Sequence, residues 1–288
     1  MRVKAFSKIN LGLEVLKKRD DGYHDIRTLF QSISLHDSIE VNLYSSDKIV
    51  ISGSDRSISW GKENLVYKAA YIMKEQAMID KGIHIHVQKN IPAGAGLGGG
   101  SSDAAATLLA LNKILGLNLR KDELKEFGKG LGADVPYFFE GGLCIGTKRG
   151  DEISLIDDLP KLFCLLVLEG TSVSTRSVYK SFRESLTSRD KESKIIKFLN
   201  TRELGGLEND LEETVFQLHP QIEDVKLLVM KTEPVLSLVS GTGSAVFGIF
   251  RSEEKARTAF KSIEKVYPTV LAETLNREQY WSGLTYGV

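Results

Sequence analysis

Apolar and polar positions alternate from the start of the chain. In "VKAFSKINLGLEVL", Ala5, Ser7, Ile9, Leu11, Leu13 and Val15 fall on one side of a strand, with Lys8, Asn10 and Glu14 on the other. "RDDGYHD" then interrupts with an Asp-Asp-Gly turn. "SISLHDSIEVNLYSSDKIVISG" reads as further short antiparallel strands. The period changes at Asn64, a suitable N-cap for a helix from Leu65 that ends at Gly82. "IHIHV" alternates again, a half-buried strand feeding "NIPAGAGLGGGSSDAAATLLALN" (90–112). Beyond the glycines, Ala104, Leu108, Leu111 and Leu115 recur with helical spacing, an amphipathic helix closed by Gly116.

A second helix is predicted from Leu119 to Leu131, followed by "GADVPYFF". There Pro136 should hold Val135 extended. "GLCIGTKRGDEISLI" predicts a hairpin turning at Lys148 to Asp151, and "DDLPK" around Pro160 marks a boundary between domains 1–157 and 158–288. The second half opens on a buried strand, "LFCLLVL". Polar helices follow, then "VLSLVSGTGSAVFGIF" as two strands about a glycine turn, a helix from Glu253 to Val266 and a last short strand. Strands and helices mix without steady β-α-β alternation, which places the chain in the α+β class.

Composition narrows the function classes. With 288 residues, 42% of them hydrophobic, the chain can build real cores. The 38 basic residues balance 38 acidic ones, so no net field points to nucleic acid or membrane. No apolar run approaches the ~20 residues of a membrane span. The first ten residues lack the apolar core of a signal peptide, and the expectation is a cytoplasmic chain. Cys144 and Cys164, the two cysteines, are isolated in apolar surroundings and read as buried free thiols, with no zinc site and no disulfide framework. His84 and His86 share a strand face, but a polar solvent side explains them better than a metal. His36 and His219 have no sequence partners.

The glycine loop carries the chemistry. Glycines let backbone N–H groups turn toward an anion, and a following helix N-terminus adds about half a positive charge. Ser101, Ser102 and Asp103 suit the capping region, and the serine hydroxyls can reach phosphate or metal. A Walker A loop requires a Lys after the glycines, and none follows. The V-A-I-K, H-R-D and D-F-G signatures of protein kinases are absent. Gly94, Gly96 and Gly99 match G-x-G-x-x-G, but a dinucleotide fold requires a buried strand before the loop and an acidic residue ending the next strand. Here the strand is half buried and a helix comes next.

"PAGAGLGGGSSDAA" resembles the P-x₃-G-L-G-S-S-A-A signature of the kinases named for galactose, homoserine, mevalonate and phosphomevalonate, the GHMP family. Other segments extend the resemblance over most of the chain: "AFSKINLGLEVLKKRDDGYHDIRTLFQSISLHDSIEV", "NLVYKAA", "GADVPYFFEGG", "ENDLE" and "SGTGSAVFGIF". They resemble the branch of that family that acts on a cytidine-diphosphate-linked methylerythritol. The resemblance implies an N-terminal ribosomal-protein-S5-like domain and a C-terminal ferredoxin-like domain. It also implies ATP-dependent phosphorylation of a hydroxyl of 4-diphosphocytidyl-2-C-methyl-D-erythritol to the 2-phosphate, in non-mevalonate isoprenoid precursor biosynthesis. A mevalonate- or homoserine-type kinase, a nicotinamide oxidoreductase and a non-catalytic phosphate-binding protein are the alternatives.

Roles follow from the same resemblance. Asp134 corresponds to the catalytic base, although without the resemblance the turn reads first as a place for a turn or capping Asp. Lys8 becomes the cation that holds Asp134 and steadies the γ-phosphate. It shares a strand face with Asn10, roughly 6.5–7 Å away, and Asn10 would contact the substrate. Tyr23 and His24 correspond to cytidine contacts, with Tyr179 on the other cytosine face. Gly241 and Thr242, in "SGTGS", would reach the substrate from the second domain. Pro92, Ala93, Gly94, Ala95, Gly96, Leu97, Gly98, Gly99, Gly100, Ser101 and Ser102 would wrap the ATP phosphates, with Asn64 and Lys89 bordering adenine and ribose. Two extra glycines, Gly99 and Gly100, displace the family's serine pair, so no metal ligand is assigned and Mg²⁺ is expected on the nucleotide. The expected assembly is a monomer or weak homodimer.

Overall fold

The computed structural model describes residues 1–182 and 193–284. Strands β1 (Arg2–Lys18) and β2 (His24–Tyr44) form an antiparallel hairpin. Its turn closes where the Arg19 N–H donates to the Tyr23 carbonyl at 2.8 Å, with Gly22 at φ 83°. The short strands predicted after the turn are one long strand. The free edge of β2 pairs in line with β5 (Leu143–Lys148) over 26–31 and with β4 (Gly82–Gln88) over 38–44, so two partners keep it continuous. β3 (Ile49–Gly53) lies parallel to β4, not antiparallel as predicted, and β6 (Glu152–Leu155) forms the other edge of a six-stranded sheet.

Helix α1 (Leu65–Ala77) starts as predicted, with the Asn64 side chain accepting from the Val66 N–H at 2.9 Å. It ends at Ala77, where Met78 takes a left-handed conformation, and Gly82 instead opens β4. α2 (Gly99–Ile114) leaves the glycine loop, and α3 (Lys121–Leu131) begins where Glu123 folds back to the Arg120 N–H at 2.9 Å. Val135 is not extended. It opens a 3₁₀ helix (Val135–Phe139) that tolerates Pro136 because a first-turn N–H has no partner inside the helix.

A second, antiparallel sheet has the order β10-β7-β9-β8, from β7 (Phe163–Val167), β8 (Leu236–Val239), β9 (Val246–Phe250) and β10 (Thr269–Glu273). Around it lie α4 (Thr175–Ser181), α5 (Lys194–Thr201), α6 (Glu212–Leu218), α7 (Pro220–Met230) and α8 (Glu253–Ile263). The closing helix α9 (Arg277–Leu284) was not predicted. The layering explains the unbroken apolar run of β7. Cys164 and Leu166 face a core shared with Ile9, Leu11 and Leu29 of the first sheet, while Leu165 and Val167 face Val225, Val229 and Ala256 on the helices.

β1 departs from the single apolar face read in its sequence. Register shifts at Phe6/Ser7 and Asn10/Gly12 turn the strand as it crosses the molecule. Val3 and Ala5 enter the core under α1 and α2, Ile9 and Leu11 the core between the sheets, and Leu13 and Val15 the core of the second sheet's helices. Lys8 and Asn10 lie between the two irregularities and are buried, not solvated. No helix among the described residues is long and apolar enough to cross a membrane.

Candidate active site

Two cavities meet at the glycine loop. The larger, of about 760 Å³, is lined by Lys8, Asn10, Asp134, His24, Tyr179 and Thr242 among others. The smaller, of about 340 Å³, runs along Pro92 to Ser101. Gly96 and Gly98 line both, so the loop is the wall between them.

Lys8 sits at the junction. Its backbone N–H donates to the Leu97 carbonyl at 3.0 Å, joining β1 to the loop. Its ammonium donates to Asn10 Oδ1 at 2.6 Å, lies 3.4 Å from Asp134 Oδ2 and stands 5.4 Å from the Phe30 ring centre. The Lys8 side chain is 4% exposed and Asp134 34% exposed, so the cation is enclosed while the carboxylate opens to the cavity. Asn10 is fixed in turn: its Nδ2 donates to Thr28 Oγ1 at 2.7 Å, and Thr28 donates to the Gly12 carbonyl. Asp134 precedes the 3₁₀ helix, which α9 braces. Tyr280 donates to the Phe138 carbonyl at 2.7 Å and Trp281 to the Glu140 carbonyl at 3.0 Å.

At the far end of the larger cavity His24 and Tyr179 stack directly on each other, ring centres 5.3 Å apart and planes 26° apart, with Phe182 edge-on to His24. The expected arrangement put Tyr23 and His24 against a cytosine, with Tyr179 on its other face. His24 and Tyr179 instead cover each other's faces. Burial, with the Asp134 charge adding, raises the Tyr179 phenol above its ordinary range. Tyr23 is exposed, and the Arg149 guanidinium stands 5.4 Å over its ring. Arg149, Arg176, Lys18 and Lys180, with the Asp21 carboxylate among them, give this cavity a mainly cationic rim that sequence reasoning missed, since Arg176 and Lys180 share α4 but Lys18 and Arg149 come from distant parts of the chain. Thr175, hydrogen-bonded to Thr242 at 3.0 Å, was also missed.

All the residues expected at the nucleotide line the smaller cavity except Ser102. The Ser102 hydroxyl is buried and donates to the Phe6 carbonyl at 2.7 Å, on the helix side facing β1. Trp60, Ile58 and Leu65 add an apolar wall that sequence reasoning did not find. Lys89 reaches this cavity, but its ammonium points inward, paired with Asp37 and with Asp103 at 2.7 Å. Asp37 also accepts from the Asn90 and Ile91 N–H groups, the latter at 2.8 Å, and so fixes the entry to the loop. His86 hydrogen-bonds Ser52 on the neighbouring strand at 3.0 Å, and both cysteines are free and buried.

The buried triad has a pH signature. Burial works against the Lys89 charge, yet Asp103 and Asp37 more than offset it and hold the ammonium above its usual range. Burial pushes the Asp103 carboxyl up to about 7, against the pull of Lys89 and with the Asp37 charge adding to the rise. Between about pH 4 and 7 the folded chain therefore keeps a proton that the unfolded chain loses. This group's contribution to stability falls as pH rises through that window and is level above it. In Asp103→Asn that slope should vanish, which urea unfolding at a series of pH values checks.

Comparison with known proteins agrees with this geometry. The family model "GHMP kinases N terminal domain" matches residues 64–142, and "GHMP kinases C terminal" matches 195–269. A 4-diphosphocytidyl-2-C-methyl-D-erythritol kinase from Caldicellulosiruptor saccharolyticus is 37% identical over 98% of this chain and 99% of its own. One from Thermodesulfovibrio yellowstonii is 42% identical over 91% and 93%. The crystal structure of a 4-(cytidine 5'-diphospho)-2C-methyl-D-erythritol kinase superposes with a TM-score of 0.82 at 33% identity, covering 95% of this chain and 99% of that one. The chain belongs to the GHMP kinases and, within them, to the family of 4-diphosphocytidyl-2-C-methyl-D-erythritol kinases. The dinucleotide-oxidoreductase alternative falls, because the loop leaves a mixed sheet and no doubly wound parallel sheet exists among the described residues.

Proposed function

We propose that the protein transfers the γ-phosphoryl group of ATP to a hydroxyl of 4-diphosphocytidyl-2-C-methyl-D-erythritol, giving the 2-phosphate. The observation that carries this reading is the shared wall. A nucleotide in the smaller cavity and an acceptor in the larger one would meet at Gly96 and Gly98, beside Lys8 and Asp134. The first amides of α2 have no partner inside the helix and would receive the phosphates, with Trp60 and Leu65 toward the base. Ser102 takes no part, and Lys89 acts from beneath the loop instead of touching adenine or ribose.

Asp134 accepts the proton of the attacking hydroxyl, and Lys8 offsets charge that builds on the transferring group. The cationic rim suits the acceptor's diphosphate, and Tyr23, His24 and Tyr179 its cytosine, which would part the His24–Tyr179 stack to lie against these rings. Thr242 and Gly241, with Tyr179, come from after Pro160, consistent with a second domain that completes the acceptor site. Mg²⁺ would be carried by the nucleotide's own phosphates, since the Ser102 hydroxyl donates to the Phe6 carbonyl and Asp103 Oδ2 accepts from Lys89.

A substrate panel tests the proposal. ATP-dependent ADP release is expected with the cytidine-diphosphate-linked polyol and not with mevalonate or homoserine. Turnover of homoserine or mevalonate in its place would move the protein to another branch of the family.

A further inference from the structure

The segment Glu208–Asn209–Asp210–Leu211–Glu212 has no place in the chemistry above, yet Asn209 and Leu211 are buried and the segment is densely bonded. It runs beside β1. Leu13 donates to the Glu208 carbonyl and accepts from the Asp210 N–H, both at 2.9 Å, and the Val15 N–H donates to Asp210 Oδ2 at 2.8 Å. Asn209 spans from there to the second glycine turn. Its Nδ2 donates to the carbonyls of Val239 at 3.0 Å and Gly241 at 2.7 Å, while its Oδ1 accepts from the Leu211 N–H at 3.0 Å. Glu212, paired with Lys226 at 2.8 Å, accepts from the Val239 N–H as well. The turn so held lies against the reaction centre: a Cβ on Gly241 would stand 3.2 Å from Asn10 Oδ1 and 3.8 Å from the Lys8 ammonium.

In a trans peptide the carbonyl and the following N–H point in opposite directions. Holding the Gly241 carbonyl on Asn209 leaves the Thr242 N–H on the other side of the turn, where Gly241 and Thr242 line the larger cavity. Among the described residues that N–H has no acceptor. We propose that Asn209 is a positioning residue for the acceptor: it fixes the Ser240–Ser244 turn against Lys8 and Asn10 and presents the Thr242 N–H to the bound substrate. The inference rests on the larger cavity being the acceptor site. The turn's two contacts with the glycine loop, Ser240 Oγ to the Gly96 carbonyl and the Ala245 N–H to the Ala95 carbonyl, do not use the groups that Asn209 holds.

Two variants test this. Asn209→Ala removes both donors. Asn209→Asp keeps the shape and the acceptor for Leu211 but sets an oxygen against two carbonyls. For both, kcat/KM for the cytidine-diphosphate-linked polyol is expected to fall on the order of 10- to 100-fold. ATP affinity by calorimetry should stay within about threefold, at one nucleotide per chain. The nucleotide stoichiometry counts folded protein, so a merely structural role would lower it while kcat/KM per nucleotide-binding chain stays at the wild-type value. That result overturns the proposal, as do equal losses of ATP and acceptor binding. If the alanine variant does not fold, the isosteric variant decides by the same readings. Failure of the underlying assignment shows separately, as wild-type protein that does not phosphorylate the polyol.

Discussion

Asp134→Asn is expected to lower kcat on the order of 10²- to 10⁴-fold, the usual contribution of a positioned general base, while ATP affinity stays near the wild-type value. The substitution keeps the side chain's shape and removes its ability to take a proton. Asp134 makes no capping bond to the 3₁₀ helix that follows it, so its loss does not release that helix. It lines the larger cavity and not the smaller one, so nucleotide binding has no direct reason to change. The buried Lys8 ammonium keeps Asn10 Oδ1 and the Phe30 ring, which limits the cost of leaving a charge unpaired. Steady-state turnover beside calorimetric ATP binding separates the two effects. Near-normal turnover in the variant would remove Asp134 from the chemistry.

Gly96→Ala should disable both cavities at once. Gly96 has φ 77°, a region that costs an L side chain about 1 kcal/mol or more. Its new Cβ would also lie 1.9 Å from the Ser240 carbonyl oxygen, which is backbone and cannot swing aside. The glycine loop and the second glycine turn would have to separate, breaking the bonds from Ser240 Oγ to the Gly96 carbonyl and from the Ala245 N–H to the Ala95 carbonyl. The expected result is a fall of about 100-fold or more in kcat/KM for both ATP and acceptor, with a lower Tm. Gly130→Ala is the matched control. Gly130 lies inside α3 with nothing within 4 Å of its notional Cβ. That change should raise stability by about 0.5–1 kcal/mol and leave both kinetic constants alone.

Local signals in the chain were legible. The N-cap at Asn64 and the hairpin at 143–155 each depend on neighbours a few residues away, and the helix after the glycines was readable too, although it begins at Gly99, ahead of the capping region read at Ser101 to Asp103. The proximity of Lys8 and Asn10 was also readable, because it follows from strand period. Their burial was not, because it depends on the glycine loop, the segment carrying Asp134 and the second glycine turn closing over them from distant parts of the chain. Lys89 shows the same limit. Its direction is set by Asp37, 52 residues away, and no local pattern reports that pairing. Ser102 was misread because a serine at a helix start can face either a ligand or a packed strand, and β1 decides it.

The long strand β2 was divided because Ser and Asp residues weaken its apolar alternation, and only its two in-line partners hold it together. α9 did leave a signal. Asn276 accepts from the Gln279 N–H at 2.7 Å and Gln279 returns to the Asn276 N–H at 3.0 Å, a reciprocal cap readable as N-x-x-Q. That helix matters to the site, because Tyr280 and Trp281 brace the segment carrying Asp134.

The most direct measurement is ³¹P NMR of the wild-type protein with ATP and the cytidine-diphosphate-linked methylerythritol. A new phosphate monoester resonance should grow one-for-one with ADP while the acceptor's diphosphate signals persist. ADP accompanied only by inorganic phosphate, or a loss of the diphosphate signals without a new monoester, would contradict phosphoryl transfer to the polyol hydroxyl between these two cavities.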